Sequence, residues 1–133
     1  MKAYISVSYN NRKNVAEVLH GIAEVLQKAG ITPFVFVDVY SFSAAEEKEM
    51  MAQALRHIDS CDLLIAEVSE KAIGIGIEAG YAKAKGKPVI YIRNNNAEHS
   101  TTLSGVSDYP VIYDNTEDLS NKLQIALDQI TDK

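Results

Sequence analysis

Tryptophan is absent, and cysteine occurs once in 133 residues. A lone thiol, Cys61, excludes a disulfide frame within the chain and a cysteine-built metal site. Its neighbours Ser60, Asp62 and Leu63 read as the entry to a buried strand, so a structural thiol is expected there rather than a nucleophile. The three histidines, His20, His57 and His99, show no HxxxH spacing and make no metal motif. Basic residues are outnumbered 13 to 18, for a net charge of −5, and no basic stripe interrupts the acidic balance. A nucleic acid polymer is therefore not an expected partner. A small anion remains open, because local N–H groups can override net charge. No apolar run approaches the length needed to cross a membrane. The opening "MKAYISVSY" is too short and too polar for an export signal, so a cytoplasmic protein with no membrane partner is expected. No repeat and no linker divides the chain, which reads as one domain over 1–133.

What is present is an ordinary globular content of apolar residues, 47%, in a clear alternation of patterns. Runs rich in Val, Ile, Tyr and Phe at 2–9, 32–39, 62–68, 88–93 and 110–114 predict five strands. The third and fourth are almost continuously apolar, as strands covered on both faces are. Between them lie helical periods. Val15, Val18, Leu19, Ile22 and Leu26 share one face, and Gly30 ends that helix. Met51, Ala54, Leu55 and Ile58 share another, on a helix starting near Ser43, where "SAAE" has capping-box spacing. A third helix is expected from Gly76 to Gly86. A fourth carries Leu119, Leu123, Ala126, Leu127 and Ile130, with Thr116 as its cap.

Strand and helix alternate throughout. That order predicts an α/β fold: a doubly wound, five-stranded parallel sheet of order 2-1-3-4-5 with helices on both faces, flavodoxin-like in architecture. Ligands of such sheets sit beyond the carboxyl ends of the strands. Four loops are thereby selected: 9–12, 38–43, 69–76 and 93–105. The last, "RNNNAEHSTTLSG", is long and polar.

Within the third loop and helix, "GIGIEAGYAKAKGKPVIYI" places Glu78 just behind Gly74 and Gly76. The expectation is a carboxylate in the first turn of a helix, held ionised by the N–H groups there. The glycines would let a ligand approach the backbone closely. An acid in a first turn is equally an ordinary helix start, and a lone GxG is a weak motif.

The stretch "CDLLIAEVSEKAIGIGIEAGYAKAKGKPVIYI" resembles the nucleoside 2-deoxyribosyltransferase family, including its 2'-deoxynucleoside 5'-monophosphate N-glycosidase branch. The shared features are a C-D-apolar-A-E-V strand, G-x-G-x-E-x-G and a K-P-apolar strand, dense over about thirty residues and looser over most of the chain. The resemblance implies that Glu78 is a nucleophile attacking C1' of deoxyribose, displacing the base and forming a glycosyl ester that water or a second base resolves. It further implies a role near the nucleophile for Tyr4, and ligand contacts for Ser8, Asn10, Asp38, Gly74, Gly76 and Ser100. Ser100 would sit in a segment that reaches phosphate, sometimes that of a neighbouring subunit. The implied partners are a small-molecule nucleoside or nucleotide and further copies of the chain, as a homodimer or higher homo-oligomer. No cofactor and no metal are expected.

Two positions depart from the pattern. The family's aspartate eight residues before the third-strand Asp62 is here Ala54, which neither accepts a hydrogen bond nor relays a proton. The arginine of the family's first-loop G-S-x-R is Asn10, a neutral amide in place of a charged fork, with Arg12 two residues on. Asp38, at the end of the second strand, and His57, one turn after Ala54, are candidates for a relocated acid. Surface placement is the ordinary reading for His57 and His99, helix packing for Tyr81, and an acceptor for loop backbone for Glu67. The alternative to an enzyme is a nucleotide-binding module of the same fold with impaired catalysis. A receiver domain is set aside because the first loop lacks acids, and a flavodoxin because its phosphate loop is missing.

Overall fold

A computed structural model describes residues 1–39 and 41–132. Its five strands are β1 (Lys2–Val7), β2 (Thr32–Val35), β3 (Leu63–Glu67), β4 (Val89–Asn94) and β5 (Tyr109–Tyr113). The helices are α1 (Ala16–Lys28), α2 (Phe36–Val39), α3 (Glu47–Ser60), α4 (Ile73–Ala84), α5 (Thr101–Val106) and α6 (Thr116–Thr131). All strand pairs are parallel, in the order β2-β1-β3-β4-β5. This is the expected doubly wound sheet.

The period-two alternation of β1 sorts the core. Ala3, Ile5 and Val7 face α1 and α6, where they meet Leu19, Ile22, Leu26, Leu119, Leu123 and Leu127. Tyr4 faces the opposite layer, with Ala54 and Ile58 of α3, Ile75 and Ala79 of α4, and Leu103 of α5. Ser6, two residues beyond Tyr4, shares that second face. Each fully buried Leu or Ile contributes roughly 1.5–3 kcal/mol of transfer free energy, so both faces are firmly anchored.

Several boundaries differ from expectation. The second strand stops at Val35, and Phe36–Val39 turn into the short helix α2. β2 is the edge strand, bonded only to β1 through the register Lys2↔Thr32 to Ile5↔Val35, so the ladder holds it on one side alone. Beyond Val35, packing governs the chain: Phe36 stacks on Tyr4 at 6.2 Å and on Phe42 at 6.3 Å between ring centroids, overriding β propensity. The expected long loop 93–105 holds α5, begun by Ser100, whose Oγ accepts from Leu103 N–H at 3.3 Å. The Ser43 signal holds: Glu46 accepts from Ser43 N–H at 3.0 Å and Oγ–H at 2.8 Å, ahead of α3.

The cap of α6 is Asn115, not Thr116: Asn115 Oδ1 accepts from Asp118 N–H at 2.8 Å. Substituting Asn115→Ala is expected to lower unfolding stability by about 1 kcal/mol in urea melts, and Thr116→Ala by markedly less. A larger loss from Thr116→Ala than from Asn115→Ala would place the cap at Thr116.

Candidate active site

Glu78 lies in the second turn of α4, because the helix begins at Ile73 rather than near Gly76, with Ala72 before it in extended backbone. The first turn contains no acid, so the helix dipole is not what holds this carboxylate. The strand beneath does. Tyr4 O–H donates to Glu78 Oε2, and Ser6 O–H donates to Oε1 at 2.7 Å. Tyr4 and Ser6 are 0% and 2% exposed, so both donors are locked in the core with their hydroxyls aimed at one carboxylate.

Burial raises the Glu78 pKa above its ordinary 4.5, while the hydrogen bonds from Tyr4 and Ser6 pull it back down. This reverses the sequence-based expectation of a carboxylate held low by helix amides. Burial, and then the charge of Glu78, raise the Tyr4 pKa in turn, which keeps the phenol protonated and a donor.

The carboxylate lies in the wall of a cavity of about 270 Å³. Ser8, Tyr9 and Asn10 join Glu78 in the polar part of its lining, Gly74 gives a low stretch of wall, and Phe36, Met50, Met51, Ala54 and Ile75 belong to the apolar part. A Cβ added at Gly74 would meet nothing within 4 Å. The chain's own packing therefore does not demand glycine there, although glycine inside a helix costs about 1 kcal/mol relative to alanine. What its absence of side chain preserves is open space beside Glu78.

Glu67 is 0% exposed and accepts from Ser69 N–H at 2.9 Å, Ser69 O–H at 2.7 Å and Tyr113 O–H at 3.2 Å. Ser69 Oγ also accepts from Asn94 N–H at 3.0 Å. This cluster fixes the turn that leads from β3 into α4, and so sets where Glu78 enters the cavity. Glu67 is thus the acceptor for loop backbone that the sequence pointed to.

Other expected site residues fall elsewhere. Asp38 is exposed and binds Arg12 through two contacts, of 2.6 and 2.8 Å, which pair the guanidinium with a carboxylate. Gly76 and Ser100 line a second depression of about 330 Å³ with Lys71, Ala72 and Ile73. Ala72 borders both hollows, so the two lie on either side of the start of α4. His57 does not line the Glu78 cavity; its ring stacks on Phe34 at 4.3 Å. His99 Nδ1 lies 3.4 Å from Tyr91 Oη, and Tyr81 O–H donates to Asp59 at 2.8 Å.

Sequence reasoning missed two contributors. Ser6 was legible, because it stands two residues from Tyr4 on the same strand face. Glu70, which accepts from Ser8 O–H at 2.7 Å, was not, since a loop acid carries no periodic signal. Among the described residues no group of three or more His, Cys, Asp or Glu is arranged to hold a metal.

The nucleoside 2-deoxyribosyltransferase family model matches residues 3–126. The chain belongs to that family. Its members are enzymes of N-glycosidic bond cleavage and deoxyribosyl transfer, and the match spans β1 through most of α6. A protein of Thermofilum pendens that carries the name 2'-deoxynucleoside 5'-phosphate N-hydrolase 1 is 28% identical over 94 residues, 68% of this chain and 66%, just under two thirds, of that protein. Among solved structures, the CMP N-glycosidase of Clostridium botulinum superposes with a TM-score of 0.66 at 20% identity, covering 94% of this chain and 99% of that one. The 2-deoxyribosyltransferase of Bacillus psychrosaccharolyticus superposes with a TM-score of 0.69 at 18% identity, covering 91% of each. At such identities these two structures establish the shared fold. No helix among the described residues is long and apolar enough to cross a membrane.

A pKa raised in the fold means that the native state binds that proton more tightly than the unfolded chain does. The stabilisation is present below the unfolded value and is lost as pH rises through the folded one. Glu78→Gln removes this contribution, so the variant's stability relative to the parent should improve as pH rises from 4 to 8, read from urea midpoints. Tyr4→Phe removes a donor to the carboxylate and should move the Glu78 titration, followed by carboxyl NMR, further upward. A downward move would contradict the hydrogen-bond assignment.

Proposed function

We propose that the protein cleaves or exchanges the N-glycosidic bond of a 2'-deoxynucleoside or its 5'-monophosphate, with Glu78 as nucleophile. The observation that carries this reading is one carboxylate in a cavity wall, gripped by Tyr4 and Ser6 from the strand beneath. Each carboxylate oxygen receives one hydrogen bond and keeps a lone pair for the sugar. The nucleophile attacks C1', the C1'–N bond breaks with its electron pair going to the base, and a glycosyl ester forms through an oxocarbenium-like transition state. Water or a second base then displaces Glu78 from C1'. Tyr4 is the positioning residue that fixes the angle of attack, where misplacement by about 1 Å costs roughly 10²-fold.

Ser8, Asn10 and Gly74 are the ligand contacts within this cavity. A 5'-phosphate would meet the neutral Asn10 in place of an arginine, with Arg12 already engaged by Asp38, so phosphate adds less affinity here than a free guanidinium fork would give. Asp38, Gly76 and Ser100 fit the ligand only from the rim or from an adjoining subunit. We infer a homodimer or higher homo-oligomer built on α4, whose Ile73 and Ile77 stand on one face at 86% and 50% exposure beside the Ser100 depression. A cytoplasmic location accompanies this role.

Ala54 in the cavity wall, where the family pattern has an aspartate, favours a second reading: a module that binds the nucleotide without turning it over. One experiment separates them. The four deoxynucleosides and their monophosphates are incubated with the protein, with and without an acceptor base, and released base is followed by chromatography. Turnover is expected in the parent, none in Glu78→Ala, and a loss of about 10²-fold in Tyr4→Phe. Binding without turnover in the parent would remove these nucleosides as substrates and favour the second reading. In sedimentation equilibrium the parent is expected to be an oligomer and Ile73→Asp/Ile77→Asp a monomer; a monomeric parent would remove the subunit proposal.

A further inference from the structure

The chemistry of the leaving base places a demand that this cavity does not meet for ordinary nucleosides. When C1'–N breaks in a neutral nucleoside, the electron pair leaves the base anionic unless a proton arrives. Among the described residues that line the cavity, Glu78 is the sole carboxylate, and none is His, Lys or Arg. Glu78 is occupied as nucleophile. Ala54 presents a methyl group to the cavity. The Ser8 hydroxyl already donates its proton to Glu70, and the Asn10 amide can hydrogen-bond but does not release a proton at neutral pH. Tyr9 belongs to the rim, its side chain 76% exposed.

The rest of the lining has its own preference. Phe36 offers an aromatic ring, and Met50 and Met51 offer polarisable thioethers. Such walls accept flat cationic rings well. The charges beside them are negative: Glu78 in the wall and Glu70 on Ser8, while the positive charge of Arg12 is paired with that of Asp38.

We propose, resting on the glycosidase reading above, that the substrate is a deoxynucleoside whose base already carries a positive charge, an N-alkylated purine or a pyridinium. Attack by Glu78 on C1' then sends the C1'–N electron pair to the ring nitrogen and cancels that charge. The base departs neutral, with no proton delivered by the protein. Water attacks C1' of the ester, frees the Glu78 carboxylate and the sugar, and releases one proton to solvent.

The test compares 2'-deoxyguanosine with two cationic probes, N7-methyl-2'-deoxyguanosine and nicotinamide 2'-deoxyriboside, each corrected for spontaneous cleavage. Parent kcat/KM is expected to favour at least one cationic probe by about 10²-fold or more, the scale of missing acid assistance. Glu78→Gln should lose all of this activity. Ala54→Asp, checked for folding by its melting curve, should narrow the gap by raising kcat/KM for 2'-deoxyguanosine relative to the cationic probes measured in the same variant. Cleavage of 2'-deoxyguanosine within tenfold of both cationic probes would overturn the inference while leaving the glycosidase reading intact. Release of base from no substrate, or release that survives Glu78→Gln, would overturn both.

Discussion

Two hydroxyls on neighbouring same-face positions of β1 hold a carboxylate that α4 lowers towards them, and much of the fold serves to keep those three groups in register. Tyr4 and Ser6 are fixed because β1 is the second strand in the sheet, paired with β2 on one side and β3 on the other. Glu78 is fixed because the Glu67–Ser69–Tyr113 cluster sets the exit from β3, and Ile75 and Ala79 seat α4 against the sheet. Burial alone would favour the neutral acid, while the hydrogen bonds favour the anion. The site balances a desolvation penalty against two buried donors bonded to the carboxylate.

The sheet was legible because its signals are periodic and repeated. Near-continuous apolar runs at β3 and β4, and the α1 face of Leu19, Ile22 and Leu26, leave little choice of element, and the alternation of types leaves little choice of topology. Sequence and structure part where a local signal meets a tertiary one. Phe36 and Val37 look like strand continuation, yet the ladder on β1 ends at Ile5↔Val35 and the aromatic stack on Tyr4 takes over. The sequence pattern puts the start of α4 three residues late because Gly74 and Gly76 resemble loop punctuation, although both lie inside the helix. That shift changes the chemistry expected of Glu78 from a dipole-stabilised acid to a buried one.

The candidate site was half visible. Glu78 and Tyr4 stood out through a resemblance, and the structure joins them directly. Gly76 and Ser100 were expected in the same pocket and instead border its neighbour, a spatial fact that no spacing in the chain encodes. Glu70 carried no signal at all, since its relevance comes from one contact with Ser8 across 62 positions of sequence. The two departures, Ala54 and Asn10, keep their weight in three dimensions because both line the cavity rather than lying remote from it. They alter the lining of the pocket while leaving Glu78 and its two donors in place.

The claim that organises all of this is that Glu78 becomes covalently bonded to the sugar. Rapid acid quench during turnover, followed by proteolysis and mass spectrometry, tests it most directly. The account predicts a deoxyribosyl adduct on the peptide containing Glu78, formed with the first release of base and absent from Glu78→Gln. Base release with no such adduct at any quench time, or an adduct on another residue, would contradict it.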